Sequence, residues 1–335
     1  MKHANIAFFV THEGCPHLCT FCNQKSISGK SSSPSLEEIR SVVEKECENK
    51  PLDKRRETEI AFFGGSFTAI EESKMEAYLK TARELADKYS LKGIRASTRP
   101  DALSDRVMDA LKKYGVSSIE LGVQSTDDRV LLMNKRGHTR AHIFEGAKRI
   151  KEAGIELGLQ MMPGLYGDTR ATIMKTAEDI IEIRPKTVRV YPTVVVRGTE
   201  LELLYKSGEF KALELEEAVE ICAELLRKFE ENGIAVIKMG LHSEVSLESD
   251  ALAGPYHPSF KELCLSEIYK RRMIELIGNE KEGTIFVNSK CLSQAKGQKG
   301  ANIKFLSEKG IDIDILPDEK LPSGEIIFKK GRNIK

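Results

Sequence analysis

Three of the chain's seven cysteines, Cys15, Cys19 and Cys22, lie close together in "GCPHLCTFCNQ" at residues 14–24. Three thiolates, with three and then two residues between them, can wrap a cubane. A [4Fe–4S] cluster normally takes four cysteines, so three leave one iron open, much as a catalytic metal site keeps a position for substrate. The rival reading is structural zinc, with His12 or His17 as fourth ligand. An isolated CxxC pair says little. CxxxCxxC directly after the first strand of a parallel barrel, with Phe21 immediately before the last cysteine, favours the cluster.

The remaining cysteines (Cys47, Cys222, Cys264, Cys291) are scattered singly, so no disulfide framework is expected. Lys plus Arg is 52 and Asp plus Glu is 51 in 335 residues, and a net charge of +1 points to no partner on average. Nothing at the N-terminus reads as a signal peptide, and no apolar run approaches the ~18 residues of a membrane span. The expected setting is a reducing cytoplasm without membrane attachment.

The elements that must position the cysteines read as an α/β chain. Strand candidates are residues 5–11, 59–65, 93–98, 118–125, 155–164 and 187–196, with amphipathic patterns near 35–49, 71–90, 103–114, 139–153, 169–183 and 214–232. Continuous apolar strands between such helices argue for a parallel sheet of βα units. Six units suit a partial (β/α)6 barrel. Polar and glycine residues gather at the strands' C-terminal ends: Gly64 and Gly65, Thr98 and Arg99, Gln124, Gln160, and Tyr191, which either lines the cavity or packs. In parallel barrels that rim carries the chemistry. Residues 1–232 form the expected barrel and 233–280 an extension closing it, with "GIAVIKMGL" as a possible further strand. Residues 281–335 read as a small α+β tail. "SGKSSSPS" (28–35) is linker-like, and Ser35 is expected to cap the first helix.

With these residues in view, the sequence resembles the radical S-adenosylmethionine (SAM) superfamily. The resemblance implies Cys15, Cys19 and Cys22 as ligands of a [4Fe–4S] cluster whose open iron chelates SAM. The reduced cluster then cleaves SAM to a 5′-deoxyadenosyl radical, in an oxygen-sensitive enzyme served by an electron donor such as flavodoxin or ferredoxin. It implies Phe21 as an adenine contact and "GGSF" (64–67) as the glycine motif, with Gly64, Gly65 and Ser66 at the methionine amine. "TRPD" (98–101), "ELGVQS" (120–125), "KRGHT" (135–139), "MMPGLYGDT" (161–169) and "PTVVVRGTEL" (192–201) resemble the radical domain of the Elongator catalytic subunit, over about residues 5–230. On that resemblance Thr98 joins the SAM-binding residues, and Gln124 and Arg136 contact its ribose or methionine part. An amide can serve a diol, and a guanidinium a carboxylate. Gln160 stands where coproporphyrinogen-oxidase-type enzymes carry an aspartate, so it can hold hydroxyls without adding charge. That Elongator family modifies wobble uridine with acetyl-CoA and a fused acetyltransferase-like domain. This sequence offers no segment for such a domain, and acetyl-CoA use is not carried over.

In the tail, "CLSQAKGQKGANIKFL" (291–306) places Gly297, Gln298, Lys299 and Gly300 as a GxxG between two short helical patterns. This resembles a KH module, whose GxxG loop clamps a nucleic-acid backbone. Residues 285–305 contain Lys290, Lys296, Lys299 and Lys304 and no acid. The reading is a radical SAM enzyme that modifies RNA, a tRNA or an rRNA. Radical modification of a small molecule or peptide stands beside it, as does an iron–sulfur RNA-binding protein without turnover.

Overall fold

The computed structural model describes residues 4–10, 13–15, 18–23, 32–241 and 245–331. Its centre is a parallel seven-stranded sheet curled into a partial barrel. The order is β1 (Ala4–Val10), β2 (Thr58–Gly64), β3 (Gly93–Thr98), β4 (Val116–Gln124), β5 (Glu156–Met161), β6 (Thr187–Val190) and, past the short β7 (Val195–Val196), β8 (Ala235–Met239). All six expected strands are present. The segment after residue 232 adds the seventh, one more than the six-unit reading, and the sixth is shorter than expected. Pro192 has no N–H for the ladder, and β7 leaves the sheet to pair antiparallel with β9 (Ala251–Ala253).

Alternate residues of each strand meet the surrounding helices. Phe8, Ile60, Phe62, Ile94, Ile119, Leu121, Leu159 and Val188 pack with Val43, Leu79, Leu111, Ile143, Ile180 and Leu225 in one buried core. Each such side chain contributes roughly 1.5–3 kcal/mol on burial. Local capping sets the helix starts. Ser35, Ser104, Thr139 and Thr169 accept from Glu38, Val107, His142 and Thr172 N–H groups, satisfying otherwise orphaned donors.

The opposite strand parity turns inward and is charged. Glu59 accepts from Arg95 Nε at 2.8 Å, Ser117 Oγ at 2.9 Å and Ser118 Oγ at 3.0 Å. Lys92 lies 3.4 Å from Glu59, and Glu156 lies 3.6 Å from Arg95. Burial pushes the Glu59 carboxyl up, but Arg95, Ser117 and Lys92 outweigh it and hold it below the usual carboxylate range.

The tail forms a second core. Strands β10 (Glu282–Val287), β11 (Asp312–Pro317) and β12 (Ile326–Lys330) lie in the order β11–β10–β12. Ile285, Val287, Ala295, Leu306, Ile313 and Ile315 pack together there. The helix Phe260–Ile277 joins the two cores: Phe260 and Cys264 lie in the first, Tyr269, Met273 and Ile277 in the second. No helix among the described residues is long and apolar enough to cross a membrane.

Removing Glu59 strands the buried Arg95 charge. Glu59→Ala should therefore cost about 3–5 kcal/mol in urea unfolding, while Glu59→Met/Arg95→Met recovers most of the loss. Because the folded carboxyl is the stronger acid, its contribution is present above the unfolded pKa. The gap between wild type and Glu59→Gln should shrink as pH falls below about 4.

Candidate cluster and cofactor site

The cysteine loop leaves β1 and lies directly on the loop that follows β2. Gly65 N–H donates to Val10 O at 2.8 Å and Ser66 N–H to Glu13 O at 3.2 Å. A Cβ on Gly65 would come 2.1 Å from Glu13 O, and one on Gly14 2.3 Å from Ser66 O, so no other residue fits either place. Glu13 is fixed in turn by Lys74 Nζ at 2.7 Å and the Ser33 hydroxyl at 2.6 Å. Cys15 Sγ stands 3.7 Å from Ser66 Oγ.

The other end of the loop is held by the chain after β4. Thr20 Oγ1 donates to Asn134 Oδ1 at 2.9 Å, and the Asn134 amide donates to Val130 O and Tyr166 O, both at 2.8 Å. Leu201 N–H donates to Thr20 O at 2.8 Å, and Cys22 N–H to Cys19 O at 3.1 Å. Arg136 Nη1 donates to Cys19 Sγ at 3.1 Å, while Nη2 donates to Gly122 O at 2.8 Å.

None of the three cysteines is in a disulfide, and Cys15 and Cys22 are half-buried. Among the described residues no three His, Cys, Asp or Glu side chains converge as ligands of a single ion would. His12 and His17 lie outside the described residues. Arg136 Nε is buried with no hydrogen-bond partner, leaving a cationic donor beside the loop for an anionic group. The residues fit an anionic iron–sulfur cluster. Two of the isolated cysteines are poorly suited to metal: burial pushes Cys264 up to about 12 and Cys222 well above the ordinary thiol value.

Gln124 ends β4 with φ +67° and accepts from Gln160 Nε2 at 3.2 Å. Their two amides thus form one unit at the rim, next to Gly122 and Arg136. Two other expected cofactor residues have protein partners. The buried Thr98 hydroxyl lies 2.6 Å from Thr68 Oγ1, and Phe21 packs with Val130, Leu165, Leu201 and Phe210. Gly297, Gln298, Lys299 and Gly300 belong to the tail. His138 of "KRGHT" is structural: burial and the neighbouring Arg136 push it down to about 3, and its Nε2 meets Val123 O at 3.2 Å. Asp168 of "MMPGLYGDT" accepts the Gly164 N–H at 3.1 Å, and burial pushes it up to about 6.

A charged group unassigned from sequence lines the sheet beyond Gln160. Arg189 ion-pairs with buried Glu120, donates to Tyr191 Oη at 3.1 Å and sits 5.3 Å from the Phe63 ring centroid. Tyr191 therefore faces inward from the sheet as part of a pair with Arg189. The available signal was two charges at inward parity in otherwise apolar strands.

A three-thiolate loop on the rim of a parallel partial barrel, flanked by glycines and polar strand ends, defines an enzyme built around an iron–sulfur cofactor at its mouth. The chain belongs to the radical SAM superfamily: residues 9–180 match that family, and 185–270 match the radical SAM C-terminal domain. Membership brings its cofactors, a [4Fe–4S] cluster and SAM. The chain is 26% identical over 259 residues to a tRNA uridine(34) acetyltransferase of Methanocaldococcus infernus, covering 65% of this chain and 48% of that protein. It is 30% identical over 188 residues to Elongator complex protein 3 of Homo sapiens, covering 50% and 34%. It thus spans about half the length, or less, of these relatives. The structure of archaeal M. infernus Elp3 with an N-terminal deletion superposes with a TM-score of 0.64 at 21% identity, over 80% of this chain and 63% of that one. Methylornithine synthase shares the fold at a TM-score of 0.52 and 12% identity, over 82% of each chain.

Cys15, Cys19 and Cys22 changed together to Ala should abolish bound iron and the visible thiolate–iron absorbance, whereas Ala at Cys47, Cys222, Cys264 or Cys291 should not. Gln124→Ala in reconstituted protein should weaken SAM binding about 5- to 150-fold, the equivalent of about 1–3 kcal/mol. Because the two amides bond each other, Gln124→Ala and Gln160→Ala should be non-additive in a double-mutant cycle. Wild-type SAM affinity in both single variants would remove them from the site.

Proposed function

We propose that this radical SAM enzyme modifies RNA, a tRNA or an rRNA, which the tail presents to the barrel mouth. The carrying observation is the geometry of the tail's GxxG. The helix Leu292–Lys296 ends at Gly297 with φ +78°, Lys299 and Gly300 follow at +52° and +76°, and the helix Ala301–Glu308 begins. Gln298 and Lys299 are exposed, as are Lys290 and Lys304. A Cβ on Gly300 would meet nothing within 4 Å, so that side of the turn is open to a ligand. Such a turn lets a phosphate approach the main chain while lysines neutralise its charge. The tRNA-directed names of the relatives support the substrate class, and their acetyl transfer is not carried over.

In this reading residues 1–232 carry the chemistry, 233–280 close the barrel and 281–335, a KH-like unit, hold the RNA. Bound together, the cluster and SAM supply hydrogen-abstracting radical chemistry. Cys15, Cys19 and Cys22 hold the cluster. The carbonyls of Gly64 and Gly65 and the Ser66 hydroxyl receive the methionine amine, Gln124 and Gln160 hold ribose hydroxyls, and Phe21 and Thr98 bound the adenine side. Glu120, Arg189 and Tyr191 form a polar wall toward the target nucleotide. A flavodoxin or ferredoxin in the cytoplasm supplies the electron.

Gln298→Asp/Lys299→Asp sets two carboxylates where phosphates would lie and keeps both glycines. Affinity for total tRNA and for small rRNA fragments should fall at least tenfold, with a salt slope lower by about 1. Release of 5′-deoxyadenosine without RNA should not change. A double variant that binds both RNAs like wild type refutes the surface. A wild type that binds neither makes a small molecule or peptide the better substrate class.

A further inference from the structure

We propose that Arg136 tunes the cluster, donating an N–H···S hydrogen bond to the ligand Cys19 and so easing reduction of the iron. The inference rests on the family reading that Cys19 is a cluster ligand, and it gives Arg136 a different duty from gripping the SAM carboxylate. Both terminal nitrogens of the guanidinium are engaged: Nη1 on Cys19 Sγ at 3.1 Å and Nη2 on Gly122 O at 2.8 Å.

The arginine is built in. It is only 7% exposed, and its own N–H donates to Leu131 O at 3.0 Å, closing the turn after helix Asp128–Met133. Asn134, two residues earlier, ties the same turn to Thr20, the residue after Cys19. The turn that bears Arg136 and the loop that bears Cys19 are therefore tied to each other, and the Gly122 O contact at 2.8 Å holds the guanidinium at the sulfur.

Reduction adds negative charge to a cluster with anionic ligands. A fixed cation and a hydrogen bond to a ligand sulfur stabilise the reduced form more than the oxidised one, which raises the potential. Low exposure leaves little water to screen that charge. The anchor at Gly122 also sits two residues before Gln124. A Cβ on Gly122 would come 3.0 Å from Gln124 Nε2 and 3.3 Å from Arg136 Nη2. SAM bound at Gln124 would thus adjoin the guanidinium that touches the cluster ligand.

The test is an anaerobic redox titration of the reconstituted full chain, followed by electron paramagnetic resonance without SAM or RNA. Arg136→Met should lower the reduced-to-oxidised ratio at a given potential at least tenfold, a midpoint shift of about 59 mV for one electron. Arg136→Lys, which keeps charge but cannot reach both acceptors, should fall between. If Arg136→Met fails to assemble a cluster, Arg136→Gln and Arg136→Lys carry the measurement. A wild-type midpoint in a cluster-loaded variant overturns the proposal. If that variant also binds SAM poorly, Arg136 is a carboxylate contact instead. A wild type that assembles no cluster overturns the ligand assignment and this proposal with it, a result distinct from an unshifted midpoint.

Discussion

Everything at the mouth of this barrel depends on two backbones lying against each other without a side chain between them. The loop that carries Cys15 rests on the loop after β2, with Gly14 against Ser66 O and Gly65 against Glu13 O at distances no Cβ survives. Two backbone hydrogen bonds, Gly65 to Val10 and Ser66 to Glu13, lock the contact. The glycine motif expected to serve SAM is therefore first a seat for the cysteine loop. The Gly65 and Ser66 N–H groups are engaged there and Ser66 O accepts from Ala69 N–H at 2.9 Å, so a ligand amine would have to turn to the Gly64 and Gly65 carbonyls and the Ser66 hydroxyl. Close backbone packing and ligand access follow from the same missing side chains.

The second constraint is the sheet's division of labour between its faces. One parity packs against helices and supplies the apolar core, and the other lines the barrel with Glu59, Arg95, Glu120 and Arg189. Charges this buried are tolerable only in pairs, and each has one: Arg95 with Glu59, Arg189 with Glu120. Such pairs give the inward face a polar lining, because no inward charge can leave its partner at low cost.

What was legible in the sequence was local. The cysteine spacing, the strand-end polar residues and the Ser35 cap are set by neighbours in the chain, and they appear where the pattern put them. What was not legible depends on partners far away. Arg136 and Cys19 are 117 positions apart, so nothing local in the chain could show that this guanidinium donates to the Cys19 sulfur. Thr98 sits at a strand end like Gln124, yet its hydroxyl faces Thr68. The run 187–196 reads as one strand because Val195 and Val196 are as β-prone as Thr187–Val190. Only the 251–253 segment, across a long connection, draws them away. Charge at Glu120 and Arg189 was visible, but apolar neighbours on both sides masked the alternation that places them inside.

The helix Phe260–Ile277 determines how the tail relates to all this. Its first half is part of the barrel core and its second half part of the tail core, so neither unit can shift alone without exposing buried apolar surface. The GxxG is tied to the same helix. Asn302 Nδ2 donates to Ser266 O at 3.0 Å and to Ala295 O at 3.0 Å, and a Cβ on Gly297 would come 3.0 Å from Ser266 Oγ. Ser266 therefore sits at the junction of three elements: the bridging helix, the helix before the turn and the helix after it. On the proposed reading, a ligand gripped at Gln298 and Lys299 would be registered to the barrel through hydrogen bonds and packed apolar surface. Such rigidity would suit the proposed RNA substrate, which must place one nucleotide at a cofactor in another module, since positional error at the grip is carried to the reacting atom.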